Sequence, residues 1–342
     1  MTINIGYMGT KKFLAPRVRE VINACADGIV VDVFAGMGSV GEMLADTRAL
    51  WVNDIQIFAA DVGRARFLSR HGAPTRAAIH KRLVDAYQKN LDALSKRFSS
   101  IALAEAEALA SQQIGPMKAI NKEIVKATST PPVHAERKRR AKRKLSTPYC
   151  LFTLSYSGRF FSLTQAMQID SFRFAIDSIC EDSEERERWL ILALGIAIIR
   201  VASSTGHFAQ YLSPKATNIR FLRMQRRRDV LDTFWSELAG LAPVGSRQWR
   251  RGNRAFNMDA TDLLRYMRLY DVRPGVVYAD PPYTDDQYSR YYHLWETLVL
   301  YDYCCKRSGR SPTRRSISRR ARAICTWSTV RTKRASRRRC VR

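Results

Sequence analysis

The sequence predicts an α/β protein built on a parallel sheet, and three observations carry that prediction. The runs Ile29 to Phe34, Ala49 to Val52 and Gly275 to Ala279 are short, apolar and bounded by turn residues, the pattern of strands buried on both faces. Between them lie segments of helical spacing, such as Leu83, Tyr87, Leu91 and Leu94. The first run leads directly into Gly36-Met37-Gly38-Ser39-Val40-Gly41, a strand–turn–helix punctuation that places ligands at the carboxyl ends of the strands.

At 342 residues and 46% hydrophobic content the chain can bury one large core or two modest ones. Lys and Arg number 58 against 31 Asp and Glu, a net charge of +27, which suits a polyanion, either nucleic acid or an anionic membrane. The most apolar stretch, Trp189 to Ile199, stops at Arg200, far short of the roughly 20 residues a bilayer requires. It reads as a core helix, and no membrane partner is expected. Met1 to Gly6 lacks the basic flank and apolar run of a signal peptide. Cys25, Cys150 and Cys180 are too scattered for a disulfide framework or a zinc site. The expectation is a cytoplasmic protein without a metal.

Along the chain, the strand–turn–helix–strand opening gives way to a helical stretch from about Thr75 to Val125. Pro131-Pro132 reads as a turn, followed by the basic block Arg137 to Lys144, which is either a flexible connector or a phosphate-binding element. An aromatic-rich segment from Tyr149 to Phe161 and a helix around Trp189 to Ala202 come next. Ala255 to Met258 reads as a further strand, and the run Gly275 to Ala279 delivers Asp280-Pro281-Pro282-Tyr283.

Two of these motifs carry chemistry. The glycines at 36, 38 and 41 permit a tight turn and close approach of a ligand to the backbone. Asp54 closes the next strand, 18 residues after Gly36, where a carboxylate accepts hydrogen bonds from ribose hydroxyls. A nicotinamide dinucleotide and S-adenosylmethionine both meet that description. In the second motif, Asp280 and the carbonyls of the two prolines form a cluster of acceptors. Acceptors so placed suit an exocyclic amino group, whose lone pair is otherwise delocalised into its ring; drawing on both its hydrogens makes the nitrogen a better nucleophile. Tyr283 offers a face on which a base taken out of a duplex can stack.

In this combination and order the sequence resembles the amino-group DNA methyltransferases, specifically the alpha-type, Dam-like adenine-N6 enzymes. Tyr7-Met8-Gly9-Thr10-Lys11 is similar to the family stretch that precedes the glycine loop, Asp32-Val33-Phe34-Ala35-Gly36-Met37-Gly38 to the loop itself, and Asn53-Asp54 to its ribose-holding acid. Phe256-Asn257-Met258-Asp259 resembles the segment whose acidic residue contacts the cofactor adenine, and Asp280 to Tyr283 the catalytic turn. Ser204 to Tyr211, Gln287-Tyr288 and Tyr291 to Leu298 also resemble one branch of these enzymes. The resemblance implies a Rossmann-like S-adenosylmethionine-dependent methyltransferase sheet with a helical target-recognition insertion. Cofactor would be held by Tyr7, Gly9, Lys11, Asp32, Phe34, Gly36, Gly38, Asp54 and Asp259. A flipped adenine in double-stranded DNA would be held by Asp280, Pro281, Pro282 and Tyr283. A cognate restriction endonuclease is the implied companion.

On this reading residues 1–74 and 255–303 form the methyltransferase domain and 75–254 the insertion. Phosphate binders are expected at Arg137, Arg139, Arg140, Lys142, Arg226, Arg227 and Arg250, and base readers at Tyr156 to Arg159 and Asn218. Residues 304–342 hold fifteen of the basic residues, four cysteines and no acid. They read as a disordered or frame-altered tail, leaving the sheet without its C-terminal strands and the Asp280 strand at an edge. A cytosine-N4 or RNA methyltransferase, a nicotinamide oxidoreductase and a catalytically dead DNA-binding remnant stand as the alternatives.

Overall fold

The computed structural model describes residues 13–111, 113–142, 146–281 and 289–303. In chain order the elements are α1 (Ala15–Asn23), β1 (Val30–Asp32), α2 (Ser39–Met43), β2 (Leu50–Asn53) and α3 (Ile57–Leu68), then a helical stretch. That stretch comprises α4 (Arg76–Ala110), α5 (Ile114–Ala127), α6 (Pro131–Lys142), α7 (Leu151–Tyr156), α8 (Leu163–Ile179), α9 (Glu184–Val201), α10 (Ile219–Arg226) and α11 (Val230–Ala239). The chain continues with α12 (Arg247–Arg251), β3 (Arg254–Phe256), α13 (Ala260–Leu269), β4 (Val276–Tyr278) and α14 (Ser289–Leu300). Two compact units result. Of the described residues, an α/β unit takes 13–71, 242–281 and 289–291; a helical unit takes Gly72–Leu241 and residues 292–303.

In the α/β unit four parallel strands lie in the order β3-β2-β1-β4. They coincide with the four apolar runs to within a residue or two. Their side chains alternate between two cores, as the pleat requires. Val30, Leu50 and Val52 join Ile22, Val40, Leu44 and Phe67 on one face; Val31, Val33 and Trp51 join Leu263 and Met267 of α13 on the other. Burial on both faces is why these strands read as unbroken apolar runs. The order reverses between β1 and β4, the switch point at which open α/β sheets bind ligands. β4 has β1 as its one partner among the described residues, and its Val277 is 45% exposed.

The helical unit is held by capped helices and by buried charges spent on backbone ends. Thr75 caps α4, Ser162 and Gln165 form a reciprocal capping box on α8, and Ser183 caps α9. Acids occupy the first turn of α9 and Arg200 its last, matching the helix dipole. α9 is buried along most of its length, and no helix among the described residues is long and apolar enough to cross a membrane. Pro131 and Pro132, expected as a turn, instead begin α6. Proline fits a first helical turn because the N–H it lacks would have no partner there. The basic block up to Lys142 is therefore helical rather than a loose connector.

The strongest internal tie is Asp170 on α8, which is fully buried. Its carboxylate accepts from Phe152 N (2.8 Å), Thr153 N (2.7 Å) and Thr153 Oγ1 (2.6 Å) at the start of α7, and from Tyr301 Oη (2.5 Å) after α14. Burial raises its pKa to about 6 against the pull of those donors. Arg173, one turn along, donates to Leu298 O (3.0 Å) and pairs with Asp177. Residues 292–303 are thereby fastened to the helical unit, with Tyr301 stacked on Tyr149 at 4.7 Å. Asp170→Ala leaves four donors without their acceptor, and its expected cost is about 3 kcal/mol or more. Urea unfolding followed by circular dichroism reads this as a lowered midpoint; an unchanged midpoint would show that the bonds contribute nothing.

Candidate functional site

The site is built at the carboxyl ends of β1, β2 and β4, all within the α/β unit. β1 ends in Asp32, whose side chain is 1% exposed. The following turn puts Gly36 and Gly38 at φ of 52° and 77°, backbone that side chains with a Cβ adopt rarely. At Gly38 the constraint is double: an added Cβ would lie 2.5 Å from the ring of Phe67. Arg66, buried on α3, donates to Met37 O at 3.0 Å and pairs with Glu42 at 3.1 Å, clamping the loop from behind.

β2 ends in Asn53-Asp54, and the two side chains divide the work of fixing three loops. Asn53 Nδ2 donates to Val33 O (3.0 Å) and Met258 O (3.1 Å), while its Oδ1 accepts from Met258 N (3.1 Å). Asp54 Oδ2 accepts from Gly36 N at 2.9 Å and Oδ1 from Gln56 N at 2.8 Å. Asn257 Nδ2 in turn donates to Asp54 O at 2.8 Å. The loops after β1, β2 and β3 are thus one hydrogen-bonded block. Burial pushes Asp54 up to about 6 despite its backbone donors.

Asp32 is pushed up further, to about 7, first by burial and then by the charges of Asp54 and Asp280, with the Phe34 N–H pulling it back. Its Oδ1 is buried with no hydrogen-bond partner among the described residues. Asp280 follows β4, two residues past Tyr278, which pairs with Asp32 across the ladder and accepts from Val33 N at 3.0 Å. Asp280 is half-buried and Pro281 exposed. The geometry therefore brings together Asp32, Gly36, Gly38, Asp54, Asp280 and Pro281, with Phe34 half-buried beside them among the residues that pack on α13. Asp259 caps α13, its Oδ1 accepting from Thr261 N at 2.9 Å. Tyr7, Gly9, Lys11, Pro282 and Tyr283 lie outside the described residues. Among those described, no group of three His, Cys, Asp or Glu is arranged to hold a metal ion.

The cations expected on nucleic acid divide by burial. Arg226 and Arg250 are 3% and 8% exposed. Arg250 donates to Ser69 O (2.8 Å) and Val244 O (3.2 Å), and Arg226 to Ser203 Oγ (3.2 Å) and to Asn121. Burial lowers the pKa of Arg226 to about 10. Both guanidiniums are consumed inside the fold, which corrects their assignment to phosphate. Arg140 is half-buried, held by Glu136 (2.9 Å), Ser146 O (2.6 Å) and Pro148 O (2.8 Å), and Arg137 reaches Thr128 O at 3.4 Å. Arg139 and Arg227 are exposed, and Lys142 ends α6. Of the base-reading candidates, Ser157 is buried and bonded to Thr153 O at 2.6 Å, and Asn218 folds back on Ser213 O at 3.0 Å and Lys215 N at 2.9 Å. The side-chain roles of Asn53, Asn257 and Arg66 escape a sequence reading. An asparagine next to an apolar strand is the only local hint of them.

Gly38→Ala combines positive φ with a ring contact and is expected to destabilise the α/β unit by about 2–4 kcal/mol, read by thermal melting. Asp32 keeps its proton in the folded state from the ordinary carboxylate range up to about 7, whereas the unfolded chain has released it. Its contribution to stability therefore falls as pH rises from about 4 to about 7. Asp54 and Asp170, both raised to about 6, add to that slope, so Asp32→Asn should reduce it and raise stability at neutral pH by on the order of 2 kcal/mol. Parallel melting profiles of the two proteins from pH 5 to 8 would contradict this.

Comparison with known proteins places the chain among distant relatives of one kind. It is 21% identical over 308 residues to modification methylase LlaI of Lactococcus lactis subsp. lactis, covering 86% of this chain and 38% of that protein. It is 30% identical over 147 residues to the Type II methyltransferase M.FokI of Planomicrobium okeanokoites, covering 42% of this chain and 20% of that one. It is 20% identical over 299 residues to modification methylase StsI of Streptococcus sanguinis, covering 86% and 36%. The chain thus spans between a fifth and two-fifths of the length of these relatives. No family model matches it, and no solved structure does. Its distant relatives are methylases, and the chain carries the parallel sheet and the pinned glycine loop on which such a site is built.

Proposed function

We propose that this chain belongs to a DNA methyltransferase that uses S-adenosylmethionine to methylate the N6 amino group of adenine in double-stranded DNA. The observation that carries the reading is the convergence of Asp32, Asp54 and Asp280 around a glycine loop at the switch point of the sheet. The methylase relatives supply independent support.

The residues present suit this cofactor. Asp32 Oδ1 is a buried carboxylate oxygen without a hydrogen-bond partner among the described residues, and a carboxylate so placed favours a cation. S-adenosylmethionine, when bound, supplies a methyl group on a positively charged sulfur. The carboxylate of Asp54 accepts from the N–H groups of Gly36, Gln56 and Ile55 and retains acceptor capacity for a ribose hydroxyl. A dinucleotide would instead bring an anionic pyrophosphate against three carboxylates, which disfavours the nicotinamide alternative.

In the proposed mechanism Asp280 and the Pro281 carbonyl accept the two amino hydrogens of an adenine turned out of the duplex. That draws the nitrogen lone pair out of the ring and orients it for attack. As the bond from N6 to the methyl carbon forms, the sulfur–methyl bond would break with its electron pair left on a neutral thioether, and Asp280 takes up the proton that N6 releases. Tyr283 would stack on the base. The enzyme would act in the cytoplasm on the sites of a companion restriction endonuclease.

The test is transfer of labelled methyl from S-adenosylmethionine to unmethylated genomic DNA, followed by nucleoside analysis. The expected product is N6-methyladenine, with Asp280→Ala slowed by about a thousandfold. Label on cytosine would replace the adenine assignment by a cytosine-N4 one. Soluble protein that binds DNA without transferring label would overturn the catalytic reading.

A further inference from the structure

The helical unit contains a cavity of about 390 Å³ whose walls come from α5, the turn after α7 and the segment before α10. Lys118 and Lys122 stand one turn apart on α5, Arg159 faces them from the turn, and Tyr211 and Pro214 close the other side. No carboxylate lines it among the described residues. The side chains of Lys118, Lys122 and Arg159 are exposed and make no ion pair among the described residues. In a protein where many arginines are paired or buried, three unpaired cations lining one cavity give it a positive potential that favours an anion.

The cavity is also built from behind. Arg226, buried beneath it, donates to Asn121 Oδ1 and to Arg159 O at 3.4 Å. Holding the carbonyl end of Asn121 leaves its amino group as a donor at a wall that otherwise offers cations. Gly158, at φ 69°, turns the chain so that Arg159 is presented; a Cβ there would press on Ile124 and Asn121 at about 3.2 Å. Tyr211 is 38% exposed and rests edge-on against Phe160 with centroids 5.5 Å apart. Its free face suits the sugar adjoining a bound phosphate.

We propose that this cavity binds a phosphodiester of double-stranded DNA, with Lys118, Lys122, Arg159 and Asn121 on the phosphate, Tyr211 beside it, and Arg226 as the residue that positions them. The assignment rests on the DNA methyltransferase reading for the identity of the polyanion. It replaces Arg226 as a direct phosphate binder by the ring of groups it organises.

The test uses the full chain and a fluorescent DNA duplex of about 30 base pairs, enough for a protein contact of several phosphates. Anisotropy is measured from 50 to 300 mM KCl, roughly the range in which counterion release dominates affinity. The Lys118→Ala/Lys122→Ala/Arg159→Ala protein should bind about tenfold or more weakly at low salt, and its log–log salt slope should fall by about one for each phosphate lost. Tyr211→Ala should weaken binding about tenfold with the slope unchanged. Lys89→Ala, an exposed cation elsewhere in the helical unit, should match the unaltered protein. Acetylation of the unaltered protein provides a measurement free of substitution: duplex should protect Lys118 and Lys122 but not Lys89. Wild-type affinity and slope in the triple variant, equal acetylation with and without duplex, or no duplex binding at all would each overturn the proposal. Methyl transfer is scored in parallel. An active protein with no protection at Lys118 and Lys122 would refute the cavity alone, and protection without transfer would refute the catalytic reading alone.

Discussion

The candidate site depends on a single constraint at the end of β2, where the adjacent side chains Asn53 and Asp54 must satisfy the backbone of three loops at once. Loops at strand ends ordinarily leave N–H and C=O groups to water, and groups left unpaired in a buried crevice are expensive. Here an amide, which both donates and accepts, joins the loops after β1 and β3, and a carboxylate gathers the N–H groups of the first two. The glycine turn then has little freedom, with Arg66 closing it from the far side. Carboxylates that repel one another are tolerated there because the scaffold under them is shared. Burial raises the pKa values of both Asp32 and Asp54, and at Asp32 the charges of Asp54 and Asp280 add to it.

The helical unit solves a related problem with buried charges placed at helix ends. Glu105 accepts from Leu163 N (2.7 Å) and Thr164 N (3.1 Å) at the start of α8, and Asp170 does the same for α7. Arg173 serves the carbonyl end of α14. Each buried charge answers the dipole of a helix end, an anion at amino ends and a cation at a carboxyl end. The arrangement fixes where the short helix α7 and the last turn of α14 can sit, with little help from their own lengths.

How far the sequence disclosed this follows from what each feature requires. The strands were legible because burial on both faces leaves an apolar signature of the right length, and Val31 and Trp51 carry it as plainly as Val30 and Leu50. Asp54 was legible because its distance from the glycines is fixed by one strand–helix–strand passage. Pro131-Pro132 misled, since the same pair punctuates a turn or opens a helix, and the choice lies in the residues that follow. Arginine was the hardest to place. Nothing local distinguishes Arg226 and Arg250, sunk among carbonyls and hydroxyls, from Arg227 and Arg139 in solvent. Lys118 and Arg159 come together only through tertiary packing, so no spacing rule could reveal their shared cavity. Tyr7, Lys11 and Tyr283 lie outside the described residues.

The pairing of β1 with β4 also sets an order of events for the growing chain. Val30 and Val276 are ladder neighbours although roughly 250 residues separate them, a contact whose loop-closure entropy is high and whose formation is correspondingly late. At synthesis rates of about 5–20 residues per second, β1 and β2 wait on the order of tens of seconds for their outer partners. The stretch Gly72–Leu241 of the helical unit emerges in that interval, and most of its packing, such as α4 on α8 and α9 on α11, joins segments already made. The segment that includes Tyr301 arrives after β4 and closes on Asp170. Assembly of the sheet is thus timed by the translation of a unit that contributes no strand to it, and chaperones that shield apolar strands have their longest opportunity on this chain before β4 appears.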